Sequence, residues 1–217
     1  MTTRDRPPVP ALTVEQMREV DRIMVEDLHI ELVQMMENAG RNLAELALRR
    51  FRPDTVTVLA GPGGNGGGGL VAARHLANRG ATVTIALSHA RGELSEVTAH
   101  QLDIVDRMGI PVTSDPQPAA LVVDALIGYS LNGDPTGRPA ELINWANTQP
   151  SPVLALDNPS GLDATTGRAA IPCVHATATL TLALPKIGLL DVDQTGDLFL
   201  ADISVPAVLY HRLVVRR

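Results

Sequence analysis

The sequence predicts an α/β fold whose mostly parallel sheet is covered by helices on both faces. Three observations carry this. After Pro53 the apolar residues gather in short runs separated by turn residues: "TVTVLA", "TVTIAL", "ALVVDALIG", "PVLALD", "ATLTLAL" and "LFLADI". Several runs are apolar on both faces, as buried parallel strands are. Helix-like stretches, "GLVAARHLANRG", "SEVTAHQLDIVDRMG" and "ELINWANTQ", lie between them, and such alternation belongs to sheets wound by crossover helices.

Taken in order, residues 1–11, with charges and prolines and no apolar stretch, read as a flexible lead-in and make neither a signal peptide nor a membrane span. Residues 12–217 are expected to form one domain. "TVEQMREVDRIMVED" opens with Thr13 and Gln16 at capping-box spacing, and Met17, Val20 and Met24 recur at helical intervals. "ELVQMMENAGRNLAELALRRF" aligns Leu32, Met35, Met36, Ala39, Leu43, Leu46 and Ala47 on one side of a second, longer helix. Met35 and Met36 are read as core filler.

Composition narrows the function. Among 217 residues, 18 Lys and Arg against 24 Asp and Glu give a net charge of -6, which argues against a nucleic-acid surface. The basic end "HRLVVRR" reads as a solvated tail. Two Phe, two Tyr and one Trp are too few rings for base stacking. Cys173, the single cysteine, has no disulfide or metal-binding partner, which points to an intracellular, cytoplasmic protein. No membrane partner is expected.

Residues 61–69 hold seven glycines in nine positions, between "TVTVLA" and a helix expected from Gly69. A Walker-type phosphate loop would end in Gly-Lys-Ser or Gly-Lys-Thr, and none is present. Gly61, Gly63 and Gly66 satisfy GxGxxG, the spacing at which backbone N–H groups and a helix N-terminus hold a pyrophosphate. The acidic residue that takes ribose hydroxyls in NAD dehydrogenases is missing. "ALSHARGE" stands in its place, leaving Ser88 or Arg91 to meet a 2'-phosphate. The bland alternative is a tight turn whose glycines supply positive backbone angles.

Parallel sheets bind ligands at the carboxyl ends of their strands, so Asn65, Asp124, Asp157 and Ser160 should converge on one crevice. Oxygen groups of this kind suit a hard cation, an amide-bearing substrate, or proton transfer by a buried carboxylate. Each Asp taken singly also reads as a helix cap or turn acceptor. The six histidines are left out of the site.

Five segments, in order "MMENAGRNLAE", "GPGGNGGGGLVAARHL", "VVDALIGYSLNG", "LALDNPSGLDATTG" and "ALPKIGLL", make the chain resemble the YjeF N-terminal domain family, the NAD(P)H-hydrate epimerases, from about Leu12 to Pro206. The resemblance implies a three-layer α/β/α Rossmann-like fold, a homodimer, and a substrate that is hydrated NADH or NADPH, whose R and S epimers at C6 are interconverted. It places potassium ligands on Asn65, Asp124 and Ser160, and an acid/base carboxylate on Asp157. Substrate contacts fall on Gly64, Asn65, Gly66, Gly67 and Gly68, on Gly128, Tyr129, Ser130, Leu131, Asn132, Gly133 and Asp134, and on Asp157. Lys186 is read either as neutralising phosphate or as lining the sheet edge. The chain departs from the family's GPGNNGGDG at two places, with Gly64 for an Asn and Gly68 for the Asp, which keeps a second reading open: a catalytically inactive nucleotide-binding or protein-interaction module. Asn158 also stands where the family is commonly apolar, and its amide is a candidate substitute for the one absent at Gly64.

Overall fold

The computed structural model describes residues 10–214, so residues 1–9 of the expected lead-in and residues 215–217 of the basic end lie outside the described part. Seven strands form one sheet: β1 (Thr55–Ala60), β2 (Thr82–Leu87), β3 (Val112–Thr113), β4 (Leu121–Ala125), β5 (Val153–Leu156), β6 (Ala178–Leu182) and β7 (Asp197–Ala201). Their order is β3-β2-β1-β4-β5-β6-β7, and every neighbouring pair is parallel. The winding reverses between β1 and β4, which opens a crevice at the carboxyl ends of those strands.

Strand alternation assigns the two layers. Val56, Val58 and Ala60 of β1, Leu121, Val123 and Ala125 of β4, and Leu154 and Leu156 of β5 pack under α2 (Leu32–Arg50), α3 (Gly64–Ala77) and α4 (Glu96–Arg107). The intervening Leu59, Val122, Val153 and Ala155 face α5 (Gly137–Thr148) through Leu142, Ile143 and Ala146. Helices therefore cover both faces, and strands apolar at every position follow from that double burial.

Beyond the ends of β6 and β7, α1 (Val14–Arg22) continues through a π-helical turn at Ile23–Asp27. It packs Met17, Val20 and Met24 against Met35, Ala183, Leu184 and Ile203. The expected Thr13–Gln16 capping box is present, with Gln16 N–H donating to Thr13 Oγ1 at 3.1 Å and Thr13 N–H to Gln16 Oε1 at 2.9 Å. Two elements escape the sequence pattern: the two-residue edge strand β3, and α6 (Ala207–Val214), which takes part of the expected tail into a helix. The connection from β5 to β6 contains no helix. It folds on its own small core, where Leu162 and Cys173 meet Leu189 and Leu198.

The glycine run behaves differently from the expected loop. Helix α3 begins at Gly64, so the later glycines are helical, and none of those from Gly61 to Gly69 has positive φ. Their common property is proximity. A Cβ on Gly66 would overlap the carbonyl oxygen of Gly61 and lie 2.6 Å from its carbonyl carbon. On Gly69 it would lie 2.5 Å from Ala125 Cβ, and on Gly67 2.6 Å from Met36 Cε. Gly40 of α2 completes the contact, because a Cβ there would come within 2.5 Å of Val71 Cβ and 2.7 Å of the Gly68 carbonyl oxygen. Glycine lets α3 press against the sheet and α2 press against α3. By contrast, Gly63 and Gly64 face open space.

These contacts separate neighbouring glycines in a denaturation experiment. Gly66→Ala forces backbone against backbone and should destabilise by about 3 kcal/mol or more. Gly64→Ala removes unfolded-state entropy without a clash and should be neutral or stabilise by about 0.5 kcal/mol. Urea midpoints of the two variants provide the check.

Candidate active site

A cavity of about 580 Å³ lies at the β1/β4 reversal. Its floor is the turn from β1 into α3, including Pro62, Gly63, Gly64 and Asn65, together with residues after β4. Met17, Leu32, Met35, Met36 and Ile203 make an apolar wall. Met35 and Met36 are buried, as core filler would be, and also face this cavity.

The turn is held from both sides. Gly61 N–H extends the β1–β4 ladder to Ala125 O at 3.0 Å, Ser95 N–H reaches Pro62 O at 2.9 Å, and Thr98 Oγ1 donates to Gly63 O at 2.9 Å. The first intrahelical bond of α3 runs from Gly67 N–H to Gly63 O at 3.1 Å. The N–H groups of Gly64, Asn65 and Gly66 have no acceptor inside the helix, and Gly63 offers no capping side chain. An uncapped helix start beside a cavity is suited to an anion.

Asp124 lies near the end of β4 and is fully buried. Its Oδ1 accepts from Ser160 Oγ at 2.6 Å and Leu126 N–H at 3.2 Å, and its Oδ2 accepts from Ser160 N–H at 2.8 Å. Burial pushes its carboxyl up to about 6 despite these bonds. Ser160 Oγ also accepts from Ile127 N–H at 2.8 Å, so one hydroxyl fastens the β5 loop to the β4 loop. Asn65 lines the cavity beside Gly128, and its buried Nδ2 has no partner among the described residues. The described residues contain no group of three or more His, Cys, Asp or Glu that could hold a metal ion.

Asp157 follows β5 with φ of 66°, a left-handed conformation that Asp tolerates better than most residues. Its N–H donates to Leu180 O at 2.8 Å, and the turn aims the carboxylate into the cavity. There Oδ1 receives a hydrogen bond from Leu182 N–H at 3.3 Å and forms an ion pair with Lys186 Nζ. Lys186 is wholly buried and also donates to Leu182 O at 3.1 Å and to Thr181 Oγ1 at 3.4 Å. Neither earlier reading of Lys186 describes this: its partner is the Asp157 carboxylate. Lys186 Nζ lies 5.8 Å from the centre of the Tyr129 ring, within cation–π range. The Tyr129 hydroxyl donates to Asp21 Oδ2.

Among the residues singled out in the sequence, Gly64, Asn65, Gly68, Gly128, Tyr129, Ser130 and Asp157 line the cavity, and Asp124 and Ser160 lie behind it. Gly66 and Gly67 are packed into the α3 contact. Leu131, Asn132, Gly133 and Asp134 fall outside the lining, and Asp134 Oδ1 accepts from Ile171 N–H at 3.3 Å. Asn158 is wholly buried and outside the cavity lining, with its Nδ2 bonded to Pro159 O at 3.0 Å and Leu162 O at 2.6 Å and its Oδ1 without a partner among the described residues, so its amide does not face the cavity as one at Gly64 would. Ser88 lines the cavity with His89, whose Nδ1 lies 2.8 Å from Ser88 Oγ, whereas Arg91 is bound to Asp106. Sequence reasoning passed over Asp21, His89 and the Asp157–Lys186 pair. For His89 the signal was its place just past β2.

The sequence model for the YjeF-related protein N-terminus matches residues 32–188. The chain belongs to that family. It is 48% identical over 219 residues to the NAD(P)H-hydrate epimerase of Dehalogenimonas lykanthroporepellens, covering 97% of this chain and 89% of that one. Identity to the NAD(P)H-hydrate epimerase of Rhodopirellula baltica is 34% over 218 residues, covering 95% and 89%. With the bifunctional NAD(P)H-hydrate repair enzyme of Moorella thermoacetica it shares 37% over 217 residues, which is 91% of this chain and 41% of that longer relative. The crystal structure of a yeast protein has the same fold, with a TM-score of 0.84 over 94% of this chain and 93% of the yeast chain at 24% identity.

The ion pair makes its own prediction. Lys186→Met leaves the Asp157 carboxylate buried without a counter-charge and should cost about 3–5 kcal/mol. Adding Asp157→Asn in the same chain should recover part of that loss, so the double variant is expected to be more stable than the sum of the singles. Denaturation of the four proteins in the cycle measures the coupling.

Proposed function

We propose that this protein is an NAD(P)H-hydrate epimerase that interconverts the R and S forms of hydrated NADH and NADPH, a metabolite-repair activity. The observation that carries the reading is one cavity holding both the uncapped start of α3 and the buried Asp157 carboxylate. The first suits the phosphates of a dinucleotide, whose approach the bare Gly63 and Gly64 leave unobstructed. The second suits the proton transfers that a hydroxyl at ring carbon C6 requires before it can leave and return. Similarity to relatives that carry this name along most of their length supports the same reading.

The two bare positions, Gly64 and Gly68, favour the rival reading of an inactive binding module, but Gly68 has a structural counterpart. A Cβ at Gly68 would lie 2.8 Å from Leu156 Cδ2, so any side chain there must push the end of Leu156 aside. Gly68→Asp should therefore displace Leu156, cost about 1–3 kcal/mol, and bring no increase in rate. A rise in rate would favour the inactive-module reading.

We further propose that Asn65, Asp124 and Ser160 hold a potassium ion. The donors are oxygen atoms, and the buried Asp124 carboxylate receives hydrogen bonds without a cationic side chain beside it, a set that fits a hard cation. When bound, the ion supplies fixed positive charge near the phosphates. A potassium site half-filled near 10 mM would add about 1.4 kcal/mol at 100 mM potassium, or about 3–6 °C in Tm. Thermal melts in potassium chloride against choline chloride should show that shift in the natural protein and not in Asp124→Asn.

The proposal includes a cytoplasmic homodimer. Leu28 and Val33, exposed apolar residues on either side of the start of α2 and outside the cavity lining, are surface that a partner would cover, and light scattering reads the mass directly. No described helix is long and apolar enough to cross a membrane.

The deciding experiment follows the equilibration of separated R and S NADPH hydrate. The natural protein should equilibrate them rapidly, and Asp157→Asn should be slower by at least about 100-fold with substrate still bound. No equilibration by the natural protein overturns the proposal, and an unchanged rate in Asp157→Asn removes that residue from the chemistry.

A further inference from the structure

Resting on the epimerase reading, we propose that Asp21 of α1 is the second carboxyl group of the reaction: oriented by the Tyr129 hydroxyl, it handles the proton on one face of the substrate ring while Asp157 handles the other.

Inversion at a carbon bearing a hydroxyl requires protons to be managed on two faces. The hydroxyl that leaves must gain a proton on the face it departs from. The water that returns must lose one on the opposite face. A single carboxylate fixed at the end of a strand cannot reach both positions around a held ring, so two groups are needed, or the ring must turn over between steps.

The cavity provides two carboxyl groups from separate elements. Asp157 comes from the end of β5 and Asp21 from α1, and both line it. Lys186 binds Asp157, Tyr129 binds Asp21, and the Lys186 ammonium lies 5.8 Å from the Tyr129 ring centre, so the two carboxyls are joined through one chain of contacts. Their environments differ. Asp157 has a buried cation as partner. Asp21 has a neutral hydroxyl, and its burial pushes its carboxyl above the ordinary range, against the opposing effects of the Tyr129 hydrogen bond and the Lys186 charge; the Asp157 charge adds to the rise. Arg18, on the same helix, acts on Tyr129. Burial thus makes Asp21 hold a proton more readily than an exposed carboxyl would, while the Lys186 ion pair places a fixed counter-charge beside Asp157, and such a difference in surroundings suits one group to give a proton and the other to take one.

The step balances with water as the only co-reactant. Asp21 gives its proton to the C6 hydroxyl. The C6–O bond breaks with its electron pair and water leaves, while the lone pair of ring nitrogen N1 forms the C6=N1 bond. A water on the other face adds to C6, returning that pair to N1, and its extra proton passes to the Asp157 carboxylate. For the other epimer the roles reverse.

The test is the pH dependence of epimer equilibration by the natural protein, Asp21→Asn and Tyr129→Phe, with NADPH hydrate as substrate and with fold checked by thermal melting. In the natural protein the rate should fall on the alkaline side as Asp21 loses its proton. Asp21→Asn should lower kcat by about 100-fold with KM little changed and should lose that alkaline fall. Tyr129→Phe removes a hydrogen bond that favours ionised Asp21, so the alkaline fall should move to higher pH. A natural protein that fails to equilibrate the epimers overturns this inference together with the epimerase reading. An active natural protein whose Asp21→Asn variant keeps its rate, or whose Tyr129→Phe variant keeps its pH profile, overturns this inference alone.

Discussion

The site depends on how closely one helix can approach a sheet. With Gly66 against Gly61 and Gly69 against Ala125, α3 meets the ends of β1 and β4 at a separation no side chain would permit. That contact fixes the direction of the helix axis and hence where its unbonded N–H groups point. It also brings Asn65 beside Gly128, where a Cβ would sit 3.4 Å from the Asn65 carboxamide carbon. Gly40 transmits the same closeness outward, seating α2 so that Met35 and Met36 reach the cavity wall. Glycine here serves through the absence of Cβ rather than through unusual torsion angles.

Two buried aspartates at neighbouring strand ends illustrate how surroundings divide labour among identical groups. Asp124 is surrounded by donors from Ser160 and Leu126 that are neutral, and it knits two loops together. Asp157 faces a full positive charge and lies on the cavity surface. A left-handed backbone at Asp157 is part of the difference, since it turns the side chain away from the strand direction and toward Lys186. Asp124 pairs across the sheet with Ala155, two residues before Asp157 on the adjacent strand, yet one is braced into the scaffold and the other is offered to a ligand.

The strands were readable because burial on both faces leaves a run of apolar residues that no solvent-facing element would carry. Asp124, Asp157 and the glycine turn were readable because polar residues interrupt that pattern at strand ends. What stayed hidden has a physical reason in each case. The start of α3 was misplaced because glycine propensity argues against a helix, while the contacts with Gly61, Ala125 and Met36 override it. Lys186 gave no sign of burial, since a lysine enters a core only when a partner distant in sequence neutralises it. Asp21 sits on an amphipathic helix where an acidic residue reads as solvent-facing, and only the folded chain brings Tyr129 to it. The β3 strand, at two residues, is too short to leave a period.

The family's matched stretch begins at Leu32, yet Met17, Asp21 and Val25 belong to the cavity wall. The boundary of that matched stretch and the boundary of the chamber are therefore different. A fragment beginning at the matched stretch would retain every strand and the whole glycine crossing. Its chamber, however, would be an open groove, wetted along one side and missing a carboxyl group. Shared architecture can be recognised in a chain without the segment that encloses its chemistry.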